Sequence, residues 1–457
     1  MIQLQSSINR KEFIMKKKLA ALLGCTMIAA ALTACGSGQN SEATSAADAT
    51  AQNQKTDGTS DMIVSWWGNQ TRNERTQQVL DLYSEQSGIT FDGQFAEWAD
   101  YWNKLSTASA GHTLPDVVQM DYAYMDQFIK NDLLVDLTPY VENGTIDVSN
   151  INENILNSGK TDDGLYAIPI GINVPALMYN KTLLDENGIE IHDNMTMDEF
   201  YSICKEVFEK TGYKTDVFYG NGADFAAYVM RSQKSSLYGD KALGSTEEQL
   251  KAFFDIYEKG ISEGWMCEPS IYAERTIGTP EQMPLVYGSS PSTRSWCAFS
   301  WSNSFASLQN AAGDELEIGI TTWPADDPKA ANYLKPGMFF SVTVDGANPD
   351  EAAKFLNYWT NDLDANKILL GERGIPVSSA VSEGISDLMD ESSQQVIDFV
   401  YNVVEPNSSL IDPPSPEGSA EVIQLVNQLV EKVCYQEITA AEAASELFAA
   451  GNKALAK

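Results

Sequence analysis

Histidine is nearly absent: 457 residues contain two, His112 and His192, far apart in the chain. A Ser-His-Asp triad or a multi-histidine zinc site needs at least one in a recognisable setting, and neither lies in a motif. Basic residues are also scarce. Thirty Lys and Arg stand against 64 Asp and Glu, a formal net charge of −34. So acidic a surface repels phosphate backbones and anionic lipid, which excludes nucleic acid as a partner. None of the six cysteines forms a CxxC pair, so no disulfide framework or thiolate metal site is expected. Cys267 and Cys297 are left as a possible pair. There is no Walker loop, dinucleotide fingerprint or internal repeat, and no cofactor is expected. The longest apolar run, Leu19 to Leu32, falls short of the roughly 20 residues that a spanning helix needs.

What is present divides the chain. Lys16-Lys17-Lys18 precede that apolar run, and Leu32-Thr33-Ala34-Cys35-Gly36 follows it. The order of basic head, short apolar core and small residues before a cysteine resembles a bacterial lipoprotein signal. It implies removal of residues 1–34 and a lipid on Cys35, with Met15 as the expected true start. Residues 35–60 have almost no large apolar side chain and read as a disordered tether, reaching roughly 25–30 Å. Beyond it the composition is globular: the whole chain is 43% hydrophobic and 10% aromatic. At about 150 residues per domain that length gives three units, or two larger lobes.

The body alternates strand and helix. Met62–Trp67 reads as a strand, Val79, Leu82 and Tyr83 follow helical spacing up to Gly88, and Ile89–Phe95 alternates again. A helix from about Ala99 to Gly111 and a strand at Asp116–Met120 follow. This β-α-β-α-β order predicts a parallel sheet with helices on its faces, binding ligand at the carboxyl ends of its strands. Strands are also expected at Ala176–Tyr179, Thr215–Tyr219, Pro284–Tyr287, Leu316–Thr322 and around Phe340–Val344. Capping boxes at Thr196–Glu199 and Thr439–Glu442, and Asn348 before Pro349, open helices.

Several segments together resemble the family 1 extracellular solute-binding proteins of ABC importers, the class that includes maltose-binding protein. In order they are the Trp66-Trp67-Gly68 turn, Leu114-Pro115-Asp116-Val117-Val118 with Asp121, Leu133–Leu137, Gly164–Pro169, Met178–Lys181, the helix at Met197–Phe200, Trp301-Ser302-Asn303, Glu351–Leu356 and Glu372–Pro376. The resemblance implies an α/β fold of two lobes, the type II periplasmic-binding-protein arrangement, with three crossings and a cleft that closes by hinge bending. Crossings near Asn173–Ala176, Ile320–Trp323 and Gly374–Val377 give a first lobe of 61–173 plus 323–374 and a second of 174–322 plus 375–457. It also implies an oligosaccharide ligand, a permease partner, attachment to the outer face of the cytoplasmic membrane through lipid alone, and a monomer.

Sugar recognition needs aromatic faces for the C–H surface of the ring and carboxylates, amides or Arg for its hydroxyls. The expected ligand residues are Trp66, Trp67, Asn69, Glu97, Trp98, Asp121, Tyr122, Asn173, Trp301, Asn303, Phe339 and Arg373. Glu97 and Asp121 could equally be helix caps, and Arg373 could equally bind a structural carboxylate. Six arginines after residue 34 are few for a strongly anionic sugar, so neutral sugars are favoured. Two rival readings stay open: presentation of a ligand to a sensor kinase or glycan adhesion, and, least favoured, a glycosidase using Glu97 and Asp121.

Overall fold

The computed structural model describes residues 60–456, apart from 274 and 277; the expected signal, Cys35 and most of the tether lie outside them. The first strand, β1 (Met62–Trp67), is buried at five of six positions. That burial pattern belongs to a parallel strand covered on both faces. Helix α1 (Gln70–Ser87) begins where the Asn69 side chain accepts from the Arg72 amide, and ends at Gly88 in the left-handed region, φ 78°. Then come β2 (Phe91–Ala96), α2 (Trp98–Gly111) and β3 (Val117–Met120). β1 pairs in parallel with both β2 and β3. Asp121 caps α3 (Tyr122–Lys130), and β4 (Ile168–Asn173) completes this part.

One residue, Val174, separates β4 from β5 (Pro175–Asn180), which lies in a second sheet. The capping box at Thr196 opens α4 (Met197–Thr211); α5 (Gly222–Ser232) and α6 (Glu247–Ser262) follow. Strands β6 (Cys297–Trp301) and β7 (Ile318–Thr321) flank β5 in antiparallel pairs. β8 (Lys335–Val342) then returns to the first sheet, whose order is β2-β1-β3-β8-β4, with β8 antiparallel to both neighbours. Helices α7 (Pro349–Asn361), α8 (Leu363–Leu369) and α9 (Ser379–Ile385) pack together on the side of the first sheet, whereas α10 (Ser419–Cys434) and α11 (Ala440–Leu455) pack against α5 and α6.

The structure differs from the sequence reading at four places. Thr215–Tyr219 forms only a single bridge to Met266, because Phe218 sits at φ 49° and breaks the extended run. Pro284–Tyr287 is a turn in which the Val286 and Tyr287 amides both donate to the Met283 carbonyl. The chain rejoins the large sheet at Lys335 rather than Trp323, since Trp323, Ala325, Ala331 and Tyr333 bury in the core that also holds α5, α6 and α10. Residues 375–385 stay with the first sheet: Ile375 and Ile172 exchange backbone hydrogen bonds, and α9 packs on α7 and α8. Cys204, Cys267, Cys297 and Cys434 are all buried free thiols, so Cys267 and Cys297 are not paired. Among the described residues no helix is long and apolar enough to cross a membrane.

Candidate functional site

Where the chain leaves the first sheet, three backbones meet closely. At Gly171 a β-carbon would lie 2.1 Å from the Arg373 carbonyl, and Gly374 at φ 109° abuts Ile172. Only glycine fits such an approach. One residue further, the Val174 amide donates to the Ser302 hydroxyl (3.0 Å) and the Ser302 amide returns a bond to the Val174 carbonyl (2.9 Å). Ser302 is thereby buried, and its neighbours Trp301 and Asn303 are set beside the exit of β4.

Around this junction opens a cavity of about 960 Å³, at the large end of ordinary ligand sites. Asp121, Tyr122, Asn173, Trp301, Asn303 and Arg373 all line it. Arg72, Lys335, Met338 and Glu372 line it too, and sequence reasoning missed them as ligand-site residues. Glu372 adjoins Arg373 in a motif that the sequence does display. Lys335 carried no signal, because it enters from a strand that runs back from the second sheet.

The charged groups of this cavity differ in what they touch. Arg72 forks onto Glu372, its Nε lying 2.8 and 3.0 Å from the two carboxylate oxygens. Arg373 is buried, its Nε donating to Gln119 (2.8 Å), Nη2 to the Thr76 hydroxyl (2.8 Å) and Nη1 to Glu372 (3.2 Å). Its guanidinium also lies 5.0 Å from the Trp359 ring centroid. Burial pushes that guanidinium down to about 9, Glu372 offsetting part of the effect, so it stays charged at neutral pH. Lys335 has no carboxylate partner among the described residues; its Nζ lies 4.0 Å over the Trp301 ring. The Tyr122 hydroxyl donates to the Asp412 carbonyl (3.2 Å), and burial pushes this phenol up to about 12.

A family model described as bacterial extracellular solute-binding protein matches residues 78–392. The chain belongs to that family. It is similar to the diacetylchitobiose binding protein DasA of Streptomyces coelicolor, 23% identical over 81% of this chain and 84% of the relative. It is also similar to the lactose-binding protein of Rhizobium radiobacter, 27% identical over 66% of this chain and 69% of that protein. A solved family 1 extracellular solute-binding protein from Alicyclobacillus acidocaldarius superposes with a TM-score of 0.79 at 25% identity, covering 87% of this chain and 98% of that one. The fold is the two-lobed type II arrangement.

In this solute-binding protein half of the expected site residues lie elsewhere. Trp66 is 0% exposed, its Nε1 donating to Asn73 (2.9 Å). Trp67 is 8% exposed, packed edge-on among Trp98 and Tyr101 and beside Trp102. Alternation sends the two rings to opposite faces, but both faces of β1 are covered, so neither ring reaches the cavity. Phe339 is also fully buried and lies nearly parallel to Tyr122, 6.1 Å away. Asn69 caps α1. Glu97 stands at the N-cap of α2 and is exposed, and Trp98 is 42% exposed; both lie outside the cavity. Asp121 is both things at once: its Oδ1 accepts from the Ala123 amide, and it lines the cavity. Arg373 lines the cavity as well, but the hydrogen bonds of its guanidinium run to Gln119, Thr76 and Glu372.

Proposed function

We propose that this solute-binding protein holds a short, neutral oligosaccharide in the cleft and delivers it to the permease of an ABC importer. Trp301 carries the reading: a half-buried indole at the end of β6, sharing one cavity with Asn303, Asn173 and Asp121. An indole face suits the C–H surface of a sugar ring, and amides with a carboxylate suit its hydroxyls. Two relatives are named for diacetylchitobiose and lactose, which supports a glycan over a peptide. Both guanidinium groups on the cavity wall are tied to Glu372, which supports a neutral one. Binding without chemistry fits the same geometry, since Glu97 does not line the cavity that Asp121 lines.

The lobes we infer are 60–173 with 335–385, and 175–333 with 409–456, closing over the ligand by bending near the Gly171–Gly374 contact. A lipid on Cys35 would hold this monomeric body at the outer face of the cytoplasmic membrane; Cys35→Ser should release it into the medium. The ligand test is a thermal-shift screen of a glycan panel and a peptide panel, followed by small-angle scattering. A glycan should raise the melting temperature and shrink the particle. Stabilisation by peptides alone would sink the sugar reading.

A further inference from the structure

Helix α5 joins two unlike surfaces. At its start Asn221 and Asp224 share a recess with Asp216 and Trp301, beside the cleft. At its far end, roughly 16 Å along the axis, Val229 and Ser232 border a separate groove of about 760 Å³. Helices α4 and α6 and the segment 324–326 form its other sides. Every residue lining this groove falls in the inferred second lobe and none lines the cleft, so the groove does not depend on how the two lobes meet.

The groove is apolar inside and acidic around. Val229, Pro324 and Ala325 are buried and form its floor, with Met197 and Tyr201 half-buried beside them. Asp198 and Asp326 are exposed at its rim, and Asp255 and Glu258 are half-buried along α6. Against these four carboxylates, Lys259 is the one cation of the lining among the described residues. Helical spacing produces the arrangement. Ala252, Asp255, Lys259 and Ser262 follow one another at steps of three or four, which puts them on one face of α6, and Met197 and Tyr201 share a face of α4 in the same way.

The acidic groups are only partly used. Asp255 is held by Lys251, whose Nζ lies 2.7 Å from both carboxylate oxygens. Asp326 accepts from the Met197 amide at 3.2 Å. The side chains of Asp198 and Glu258 have no hydrogen bond or ion pair among the described residues, and the Tyr201 hydroxyl has no hydrogen bond. Burial pushes the Tyr201 phenol up, and the charges of Asp255, Asp326 and Asp198 push it further, so it stays a donor. The ring of Tyr201 already takes one cation: the Lys259 Nζ lies 3.9 Å from its centroid. Among the described residues no three carboxylates, thiols or imidazoles are grouped as a metal site. The negative charge is thus spread along the groove, which suits an extended chain bearing several cations better than a point ion. A helix with basic residues flanking an apolar stripe complements both halves of such a lining.

We propose that this groove docks a cationic amphipathic helix of a protein partner, its basic side chains pairing with Asp198 and Glu258 and its apolar stripe lying on Val229, Pro324 and Ala325. The test is fluorescence anisotropy of the intact protein with two labelled probes of about 14 residues, one of lysine and leucine at helical spacing, the other with glutamate in place of lysine. The lysine probe should bind and the glutamate probe should not. Asp198→Lys combined with Glu258→Lys should weaken the lysine probe about ten-fold. Asp162→Lys combined with Asp163→Lys makes the same change of net charge at an exposed turn of the other lobe. At physiological salt, which screens charges beyond about 8 Å, that pair should leave the affinity within about two-fold. Ala252→Trp, which fills the groove and alters no charge, should weaken the probe as the first pair does. Equal losses in the two charge-reversal pairs, equal binding of the two probes, no binding of either, or spermidine binding as tightly as the lysine probe would each overturn the docking groove.

Discussion

The two walls of the cleft are built on opposite plans. On the side of the large sheet the strong charges other than Lys335 are already engaged by protein groups. Arg72 and Arg373 share Glu372, Arg373 also holds Gln119 and Thr76, and the Asp121 carboxylate caps its own helix. On the side of the small sheet the groups are presented. Asn303, Asn221 and Asp224 have no side-chain hydrogen bond among the described residues, and Trp301 packs one side on Trp323 and Tyr333 while lining the cavity. A saturated network resists rearrangement, because any broken member leaves a buried polar group unpaired. On the proposed function, the first wall is the scaffold beside the inferred bending point and the second is the reading surface. Substitutions should separate them: stability should fall on one side and affinity on the other.

The largest effect is expected at Arg373. Its truncation to Ala leaves Glu372, Gln119 and Thr76 facing a hole, at a cost of about 3–5 kcal/mol, seen as a lower midpoint in denaturant. Arg373→Lys should recover little, since one ammonium cannot reach the three partners of a planar fork. If Arg373→Ala folds normally and loses only ligand, the scaffold assignment collapses. Asp216 should be next, and it tests the recess. Burial raises its carboxyl from 3.8 to about 6. A raised acid favours the protonated fold, so its penalty is absent below about pH 4 and complete above about pH 6. That rise corresponds to about 3 kcal/mol at neutral pH. Asp216→Asn should gain stability relative to wild type as pH rises from 4 to 7; a pH-independent difference would refute the cause. Trp301→Ala follows, weakening sugar binding by about 2 kcal/mol, roughly 30-fold, with a smaller drop in melting temperature than Trp66→Ala, since the ring is only half-buried against Trp323 and Tyr333. Trp66→Ala should do the reverse, losing stability with no selective loss of affinity.

The same division explains what the sequence displayed. Helix starts were legible at Thr196, Asn348 and Thr439 because a cap is a local pattern of two residues. The parallel β1-β2-β3 core was legible because its period is local too. Strand ends led to Asp121, which lines the cavity, and to Trp66, which does not, because the packing on both faces of a strand depends on helices far along the chain; Trp301 came from the family resemblance alone. Arg373 showed as a site residue, but its role depends on Gln119 and Thr76, each more than 250 positions away. Asp224 and Asn221 gave no signal at all: an acid and an amide at a helix start look like caps, and only the folded chain shows that neither side chain has a hydrogen-bond partner among the described residues.

The smallest effect concerns the one side-chain hydrogen bond that ties Tyr122 to the segment near Asp412. Tyr122 lines the cavity from α3, whereas Asp412 is held to the second core by Arg231, whose Nη1 lies 2.6 Å from its carboxylate. Arg231 also binds the Ser409 hydroxyl and the Leu410 and Ala331 carbonyls, so residues 409–412 move with that core. The Tyr122 hydroxyl donating to the Asp412 carbonyl therefore joins the two walls. Its phenol, pushed up to about 12, keeps its proton at any physiological pH. Tyr122→Phe deletes that donor and keeps the ring on Phe339. A net hydrogen bond is worth about 1 kcal/mol, which shifts an open–closed equilibrium roughly five-fold. Scattering of the ligand-free variant should show a larger radius, and ligand affinity should fall by up to that factor as the closed population shrinks. An unchanged radius together with unchanged affinity would mean that the walls are held apart or together by the backbone crossings alone.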